Sequence, residues 1–331
     1  MTVTAGVKCF NNVRYIREAL ESAFSQTYRP LEIVVCDDCS TDGSWEVIRG
    51  IVEAHRGEPG LRVVIERNDA NLGNLGNWER ICSLATGDFI VKFDGDDVSG
   101  PDRVSRIVSA IEAAQEKGLS PTLVGHGGWM VSPSGRPMGA MYPAARGNVV
   151  GAAMAFSRRC FTEFGPAACD PRIVDDELYA CRGMMLGDFV EMKDRLVRYR
   201  IGTGVSNAFL EVRRPMLRIA RDRLVAIEQG ERDVERLDDA SVWRGRLADE
   251  RGRAEARRDL IDGETWRIRL SGARRLGMSG RVWSFLKFAF VMPRPIGSPL
   301  LFAYAVIRYL RRRLVEGISW SLSRGLSPRG G

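Results

Sequence analysis

The chain has 331 residues, of which 44% are hydrophobic and 27% are charged, and it carries a formal net charge of +7. These values are typical of a globular protein with one large domain or two ordinary ones. Its seven cysteines are odd in number and irregularly spaced, which excludes a disulfide framework and a structural zinc motif. Because the sequence after Met1 has no signal-peptide pattern, we expect a reducing, cytoplasmic location.

The charge is unevenly distributed along the chain. Residues 1–205 carry 23 Lys and Arg against 27 Asp and Glu, whereas residues 206–331 carry 26 against 15. Residues 265–331 contain 13 basic residues and a single acidic one, Glu316. This asymmetry predicts a boundary near residue 205 and an anionic partner for the basic tail.

Alternating strand and helix patterns predict an α/β sheet in the first 205 residues. Continuous apolar runs, typical of strands covered on both faces, alternate four times with helical patterns. We predict that Asn12 caps the first helix and that Pro101 begins the fourth. The first four predicted strands are residues 3–9, 31–36, 62–66 and 89–93. This pattern predicts a mostly parallel, Rossmann-like sheet flanked by helices.

The pattern is less regular after the fourth helix. Further strands are predicted at residues 123–131, 151–157 and 195–201. A helix is predicted to begin at Asp175 and to end near Gly187.

Carboxylates lie in clusters at the ends of these elements. The clusters are Asp37-Asp38 and Asp94-Gly95-Asp96-Asp97, each after a strand, and Asp175-Asp176-Glu177 at the start of a helix. Ligands of parallel α/β sheets bind at the carboxyl ends of the strands. Crowded carboxylates repel one another until a cation neutralises them, and oxygen-rich sites suit Mg²⁺ or Mn²⁺. The alternatives are a solvated acidic turn for the second cluster and simple helix capping for the third.

Other carboxylate and nucleotide motifs do not fit the sequence. An EF-hand that began at Asp94 would need a Glu at its twelfth position, where the chain has Ser105. The turn after the first strand has no glycine, which argues against a dinucleotide-binding domain, and no Walker A sequence is present. The two histidines lack the spacing of a zinc hydrolase.

Four blocks, in order, make residues 1–205 resemble a family 2 glycosyltransferase of the GT-A fold. The first comprises residues 15–22 and 25–28, and the second comprises residues 34–44. The third joins Asn71-Leu72-Gly73 to the Asp94-Gly95-Asp96-Asp97 cluster, which matches the DxD motif of the family. In the fourth, Asp175 and Asp176 lie where the family has its Glu-Asp pair. The resemblance implies an inverting enzyme that uses a nucleotide-sugar.

The resemblance also implies a donor site. Asp38 would accept a hydrogen bond from a uracil base, in a pocket that Asp37 and Asn11 shape. Asp94 would lie at the ribose and diphosphate, and Asp96 would bind Mg²⁺ or Mn²⁺, which stabilises a departing diphosphate. The other expected members of the donor site are Asn71 and Gly95.

The expected general base is Asp176, which would take the proton of the acceptor hydroxyl during in-line attack at the anomeric carbon. Asp175 or Glu177 would take this role if the register differed by one residue. Two departures from the family pattern stand out. Lys8 lies where the family usually has proline, which predicts a contact with the nucleotide, and Gly202 lies in a region where many members have histidine.

The C-terminal part is predicted to be mainly helical, with a charged region at residues 206–264 and a basic tail at residues 265–331. The tail interleaves aromatic, aliphatic and basic residues, but its apolar runs are shorter than a membrane-spanning helix needs. Such a composition favours a helix that lies in an anionic membrane surface over one that binds nucleic acid. The alternative is a helical cap packed on the core.

The sequence therefore predicts a metal-dependent glycosyltransferase that moves a sugar, most simply from a UDP-sugar, to a lipid-linked or polysaccharide acceptor in cell-surface glycan synthesis. It would act on the inner face of the cell membrane. The alternatives are a nucleotidyltransferase, whose glycine-rich basic loop is absent, and a non-catalytic nucleotide-sugar or glycan-binding module with a membrane tail.

Overall fold

The computed structural model describes residues 1–141, 150–167, 173–203 and 228–237. Apart from residues 228–237, the predicted charged helical region lies outside the described residues, as does the predicted basic tail. The division of the chain at residues 205 and 264 therefore stays a prediction. Within the described part of the chain, no helix combines the length and apolar character needed to cross a bilayer.

Nine strands and six α-helices lie in the described part of residues 1–203, and residues 228–234 are also helical. The strands are β1 (Val3–Cys9), β2 (Leu31–Asp37), β3 (Leu61–Arg67), β4 (Phe89–Asp94), β5 (Val98–Ser99), β6 (Pro121–Val131), β7 (Pro137–Met141), β8 (Met154–Ser157) and β9 (Asp188–Arg200). The helices are α1 (Ile16–Phe24), α2 (Ser44–Ala54), α3 (Gly73–Leu84), α4 (Arg103–Gln115), α5 (Arg159–Thr162) and α6 (Asp175–Leu186).

The strands form one mixed sheet in the order β3-β2-β1-β4-β8-β6-β9-β5, with β7 paired to β6. Strands β3, β2, β1 and β4 are mutually parallel, and β6 and β9 form a second parallel pair. The short strand β8 joins the two halves through antiparallel pairing on both of its sides. The α/β fold with helix-flanked strands is as predicted.

Helices cover both faces of the parallel half of the sheet. Apolar residues of α1, α2 and α4 pack on one face, and residues of α3 and α6 pack on the other. Alternate residues of β2 therefore enter opposite cores: Ile33 and Val35 lie in the first, Val34 and Cys36 in the second. Burial on both faces explains why these strands are apolar throughout.

The structure corrects several predicted boundaries. Helix α1 begins at Ile16 and has no side-chain cap, because Asn12 instead closes a turn through its carbonyl oxygen, which accepts the N–H groups of Tyr15 and Ile16. Pro101 lies in a turn, and α4 begins at Arg103. The predicted strand 151–157 is a 3-10 turn followed by β8, and β9 begins seven residues earlier than predicted, at Asp188.

A buried ion pair fastens residues 228–237 to α6. Arg182 and Asp233 are both buried, and the guanidinium contacts the carboxylate through two bonds of 2.8 and 3.1 Å. Val234 packs beside this pair on Phe164 and Met185. Because the guanidinium is bound bidentately and also donates to the carbonyl of Gly165 at 2.9 Å, the charge is compensated in the core.

We expect Asp233→Asn to lower the free energy of unfolding by about 3 kcal/mol or more, since it leaves the Arg182 guanidinium buried without its counter-charge. Urea denaturation of the full chain measures this change. Glu53→Gln is a matched control, because Glu53 and its partner Arg56 are both largely exposed and their pair contributes little. Equal unfolding midpoints for the two variants would contradict the assignment.

Candidate active site

The carboxyl ends of β1, β2 and β4 lie side by side at one edge of the sheet. Cys9 pairs with Asp37 on β2, and Lys8 pairs with Asp94 on β4. The first two predicted carboxylate clusters therefore meet at this edge. The strand order reverses around β1, and such a reversal is where open α/β sheets form a ligand crevice.

Asp37 and Asn11 hold the loops after β1 and β2 together. The Asp37 carboxylate is fully buried, accepts the N–H of Ser40 at 3.0 Å and lies 3.4 Å from the guanidinium of Arg67. Asn11 has a left-handed backbone (φ 51°), which asparagine tolerates better than most residues. Its N–H donates to the Ser40 hydroxyl and its side-chain oxygen accepts the N–H of Thr41. Both residues thus fix the 40–41 turn, and their predicted role in a base-binding pocket stays a prediction.

Asp38 braces the N-terminus of α3. Its carboxylate accepts the N–H groups of Leu72 (2.8 Å) and Gly73 (3.0 Å) and the side-chain amide of Asn68 (2.8 Å). Asn71 supports the same turn by accepting the Gly73 N–H at 3.0 Å. A carboxylate has about four acceptor positions, so these three contacts leave about one position on Asp38 unused.

The second cluster consists of three neighbouring carboxylates at the end of β4, those of Asp94, Asp96 and Asp97. Burial and the nearby Asp94 charge raise the pKa of Asp96, whose carboxylate accepts the Thr203 hydroxyl at 2.6 Å. Burial and the charges of Asp96 and Asp94 raise the pKa of Asp97 well above its usual range. One Asp97 oxygen accepts the N–H of Arg200, and the other has no hydrogen-bond partner among the described residues.

Gly95 keeps this cluster close to β1. A Cβ at this position would lie 2.7 Å from the carbonyl oxygen of Lys8, a distance that side chains do not tolerate. The close approach of the two backbones thus requires glycine here.

Arg103 and His126 lie buried near the same cluster. The Arg103 guanidinium donates to Nε2 of His126 at 3.0 Å and lies 4.8 Å from the centre of the Phe93 ring. Burial and the adjacent guanidinium lower the pKa of His126 well below its usual range, so its imidazole is neutral. Burial lowers the pKa of Arg103 to about 10, and its charge partly offsets the Asp94 and Asp97 carboxylates. Sequence reasoning missed this pair.

The third cluster reaches the same edge through α6. Asp175 is buried at the first residue of α6, where it contacts the ammonium groups of Lys92 (2.6 Å) and Lys8 (3.2 Å). Although burial opposes ionisation, the two lysines hold the pKa of Asp175 well below its usual range. Lys8 also contacts Asp94 at 3.1 Å, so this one ammonium joins the second and third clusters.

Asp176 is the more accessible carboxylate of the pair, with 28% of its side chain exposed. It forms an ion pair with Lys92 and accepts the N–H of Gly151 at 3.0 Å. Burial raises its pKa to about 6, an effect that Lys92 opposes and Asp175 reinforces. A carboxylate with such a pKa suits proton transfer near neutral pH better than Asp175 does.

Residues 4–130 match the family model described as "Glycosyl transferase family 2". This part of the chain is therefore similar to glycosyl transferase family 2. The chain is also 30% identical over 106 residues to the Escherichia coli protein "UDP-Glc:alpha-D-GlcNAc-diphosphoundecaprenol beta-1,3-glucosyltransferase WfaP". That match covers 32% of this chain and 39% of WfaP. The matches to the first curated relatives each span little more than a third of the relative's own length.

Two solved structures have the same GT-A-like fold. Staphylococcus aureus TarS 1–349, in complex with UDP-GlcNAc, aligns with a TM-score of 0.57 and 16% identity, covering 77% of this chain and 72% of TarS. The mannosyltransferase PcManGT from Pyrobaculum calidifontis, in complex with GDP-Man and Mn²⁺, aligns with a TM-score of 0.57 and 17% identity. That alignment covers 93% of this chain and 86% of PcManGT.

The residues of the family's DxD motif suit a divalent cation in type. Asp94, Asp96 and Asp97 supply hard oxygen ligands. Burial, and after it the charges of neighbouring carboxylates, raises the pKa of Asp96 and Asp97, and a bound cation would offset this cost of ionisation. The described residues contain no ready-made group of three metal-ligating side chains. Mg²⁺ is commonly held by one or two carboxylates plus substrate phosphates, so the set fits an ion that binds together with its nucleotide.

We expect Asp175→Asn to lower the free energy of unfolding at pH 7 by more than about 2 kcal/mol, because Lys8 and Lys92 lose a shared counter-charge. The low pKa of Asp175 means that its stabilisation is present above about pH 4 and is lost as the pH falls further. Urea denaturation at pH 7 and pH 3 should therefore show a difference between wild type and variant that shrinks at pH 3. An equal difference at both values would contradict this account.

Proposed function

We propose that this protein is an inverting, metal-dependent glycosyltransferase that moves a sugar from a nucleotide-sugar to a hydroxyl of a lipid-linked or polysaccharide acceptor in cell-surface glycan synthesis. The observation that carries the proposal is the meeting of three carboxylate clusters at one edge of the sheet, in a domain of glycosyl transferase family 2. In this proposal the described residues would supply anchors for a nucleotide, oxygen ligands for a cation and an accessible base.

In the proposed reaction Asp176 takes the proton of the acceptor hydroxyl as its oxygen attacks the anomeric carbon. The bond between that carbon and the β-phosphate oxygen breaks, and the nucleoside diphosphate leaves with the bonding electrons. A single displacement inverts the anomeric configuration. The Asp176 carboxylate, which receives the proton, is held in its orientation by the ion pair with Lys92.

Donor binding is proposed for the other two clusters. Asp38, with Asp37 and Asn11 shaping the pocket, would hold the base, and Asn71 and Gly95 would keep the two loops in position. Asp94 would lie beside the ribose and diphosphate, and Asp96 would hold Mg²⁺ or Mn²⁺. When bound, such an ion neutralises the charge that develops on the departing diphosphate.

The known proteins support a UDP-sugar as the first donor to test. TarS was solved with UDP-GlcNAc, and WfaP is named for a UDP-Glc donor and a diphosphoundecaprenol acceptor. PcManGT was solved with GDP-Man and Mn²⁺, so a GDP-sugar must be compared. We would screen UDP-, GDP- and dTDP-sugars with Mg²⁺, Mn²⁺ or EDTA, and measure hydrolysis and the shift in unfolding temperature. No response to any nucleotide-sugar with metal present would overturn the proposal.

We expect Asp176→Asn to lower turnover at least about a hundredfold, in line with the usual contribution of a general base, while donor affinity changes little. Donor hydrolysis and donor titration calorimetry measure the two quantities. Asp194→Asn is a matched control, because Asp194 pairs with Arg106 on α4, away from the clusters. If Asp176→Asn retained its turnover, Asp176 would not be the general base. If the wild-type protein bound donor without turnover, it would be a nucleotide-sugar-binding module instead of an enzyme.

We further propose that residues 265–331 hold the protein on the inner face of the cell membrane through anionic lipid. The support is the tail's composition, with 13 basic residues and one acidic residue among aromatic and aliphatic ones. A lipid-linked acceptor, such as the one in the name of WfaP, would be found at that surface.

We expect Arg311, Arg312 and Arg313 changed together to Gln to weaken binding to anionic vesicles by about tenfold or more, because each basic residue near such a surface contributes about 1 kcal/mol. Flotation of the full chain with vesicles that contain 30% anionic lipid would measure this. The matched control changes Arg251, Arg253 and Arg257 to Gln, which removes the same charge outside the tail. Equal loss in both variants would point to net charge alone and would contradict a role for the tail.

A further inference from the structure

Lys8 and Lys92 are two lysines of the candidate site that the proposed function above leaves unassigned, although the sequence predicts a contact of Lys8 with the nucleotide. Lys92 lies on β4, where its neighbours Val91 and Phe93 are buried apolar residues. Its side chain is 1% exposed, and its ammonium contacts Asp175 at 2.6 Å and also Asp176. A buried ammonium is costly unless it is paired, so the two carboxylates fix the place of this group.

The aromatic core defines the other side of Lys92. Its ammonium lies 5.4 Å from the centre of the Trp78 ring, which favours a cation over the ring face. Trp78 packs edge-on against Phe156 and Tyr179, so this surface is rigid. The Lys92 ammonium thus has few alternative positions, and this limits the positions of the Asp176 carboxylate that pairs with it.

Lys8 extends the arrangement to the donor side. Its ammonium lies 2.6 Å from the side-chain oxygen of Asn74, 3.1 Å from Asp94 and 3.2 Å from Asp175. The ammonium donates hydrogen bonds to Asn74 and Asp175, and its contact with Asp94 is an ion pair without hydrogen-bond geometry. The five charges alternate as Asp94, Lys8, Asp175, Lys92 and Asp176, from the strand that would hold the donor to the carboxylate that would meet the acceptor.

We propose that Lys92 is a positioning residue that keeps the Asp176 carboxylate ionised and oriented toward the acceptor, and that Lys8 and Asp175 connect this pair to the donor side at Asp94. The proposal rests on the function proposed above. In this proposal Lys92, which lies on strand β4, acts on the reaction through Asp176 and does not touch the substrate.

The charges around Asp176 explain why Lys92 matters. Asp175 on its own helix and Asp94 on β4 disfavour ionisation, as does burial, whereas Lys92 on β4 and Lys8 on β1 favour it. Gly151 adds one N–H donor to the ionised form. Without Lys92 the nearest opposite charge would be gone, so a larger fraction of Asp176 would be protonated at neutral pH and unable to accept a proton.

The test is the pH dependence of donor turnover in the full chain, with hydrolysis as the readout. We expect wild-type turnover to rise with pH through about 6, the pKa of Asp176. Lys92→Met should move this acid limb upward by at least about one pH unit, with donor KM changed much less than kcat. Lys92→Arg, which keeps the charge, should restore the limb to within about half a unit of wild type.

Gly151→Ala tests the position of the Asp176 carboxylate. A Cβ there would overlap this carboxylate, so the side chain must move. We expect lower turnover even at pH values well above the acid limb, because the displaced carboxylate no longer meets the acceptor hydroxyl. An acid limb that stays in place in folded Lys92→Met would overturn the proposal.

Two further measurements keep the outcomes distinct. If Lys92→Met does not fold, Lys8→Met carries the test, since Lys8 also favours ionised Asp176: a smaller upward shift supports the proposal and no shift overturns it. Carboxyl NMR titration of the full chain, with the Asp176 signal identified through Asp176→Asn, reads the same shift without catalysis. Should wild type hydrolyse no nucleotide-sugar, the proposed function fails, whereas an Asp176 signal that does not respond to Lys92→Met removes the inference alone.

Discussion

Ion pairs between two lysines and three aspartates connect the sheet to α6 and decide the shape of the candidate site. An ionised carboxylate buried as deeply as that of Asp175 would be strongly disfavoured without a partner, and the same is true of the Lys92 ammonium. Placed within about 3 Å of one another, the opposite charges compensate each other. The N-terminus of α6, which arrives from a distant part of the chain, is thereby held against the ends of β1 and β4. The accessible carboxylate of Asp176 is a consequence of this arrangement.

The sheet supplies the frame that makes these contacts possible. Strands β1 and β4 are adjacent and parallel, so their carboxyl ends bring Lys8 and Asp94 together. The loops at the same ends are fixed by their own polar contacts: Asp38 holds the start of α3, and Asn11 links two loops. A rigid edge of this kind presents ligand-binding groups without the need to order them on binding, which lowers the entropic cost of recognition. The match of residues 4–130 to glycosyl transferase family 2 agrees with such an edge.

The protein combines two kinds of electrostatics. At the sheet edge the charges are buried, alternate in sign and act over single contacts, where they tune proton affinity. In the tail the charges are nearly all basic and interleaved with apolar residues, which suits long-range attraction to an anionic surface. The proposed enzyme would use the first for chemistry on a nucleotide-sugar and the second to remain where lipid-linked acceptors are found.

The sequence by itself determined the α/β class, the first four strands and the three carboxylate clusters. These features depend on local apolar periodicity and on the rule that ligands bind where parallel strands end, and both can be read from neighbouring residues. The order of the strands, the antiparallel β8 between the two parallel sets and the early start of β9 came only from the tertiary structure, because pairing joins residues far apart in the chain. The roles of Lys92 and Arg103 could not be predicted for the same reason. Each is a single charge in its own segment, and only the folded chain shows which distant carboxylates lie near it. Lys92 had one local signal, a lone lysine in a buried apolar strand, but its partners on α6 are more than eighty residues away.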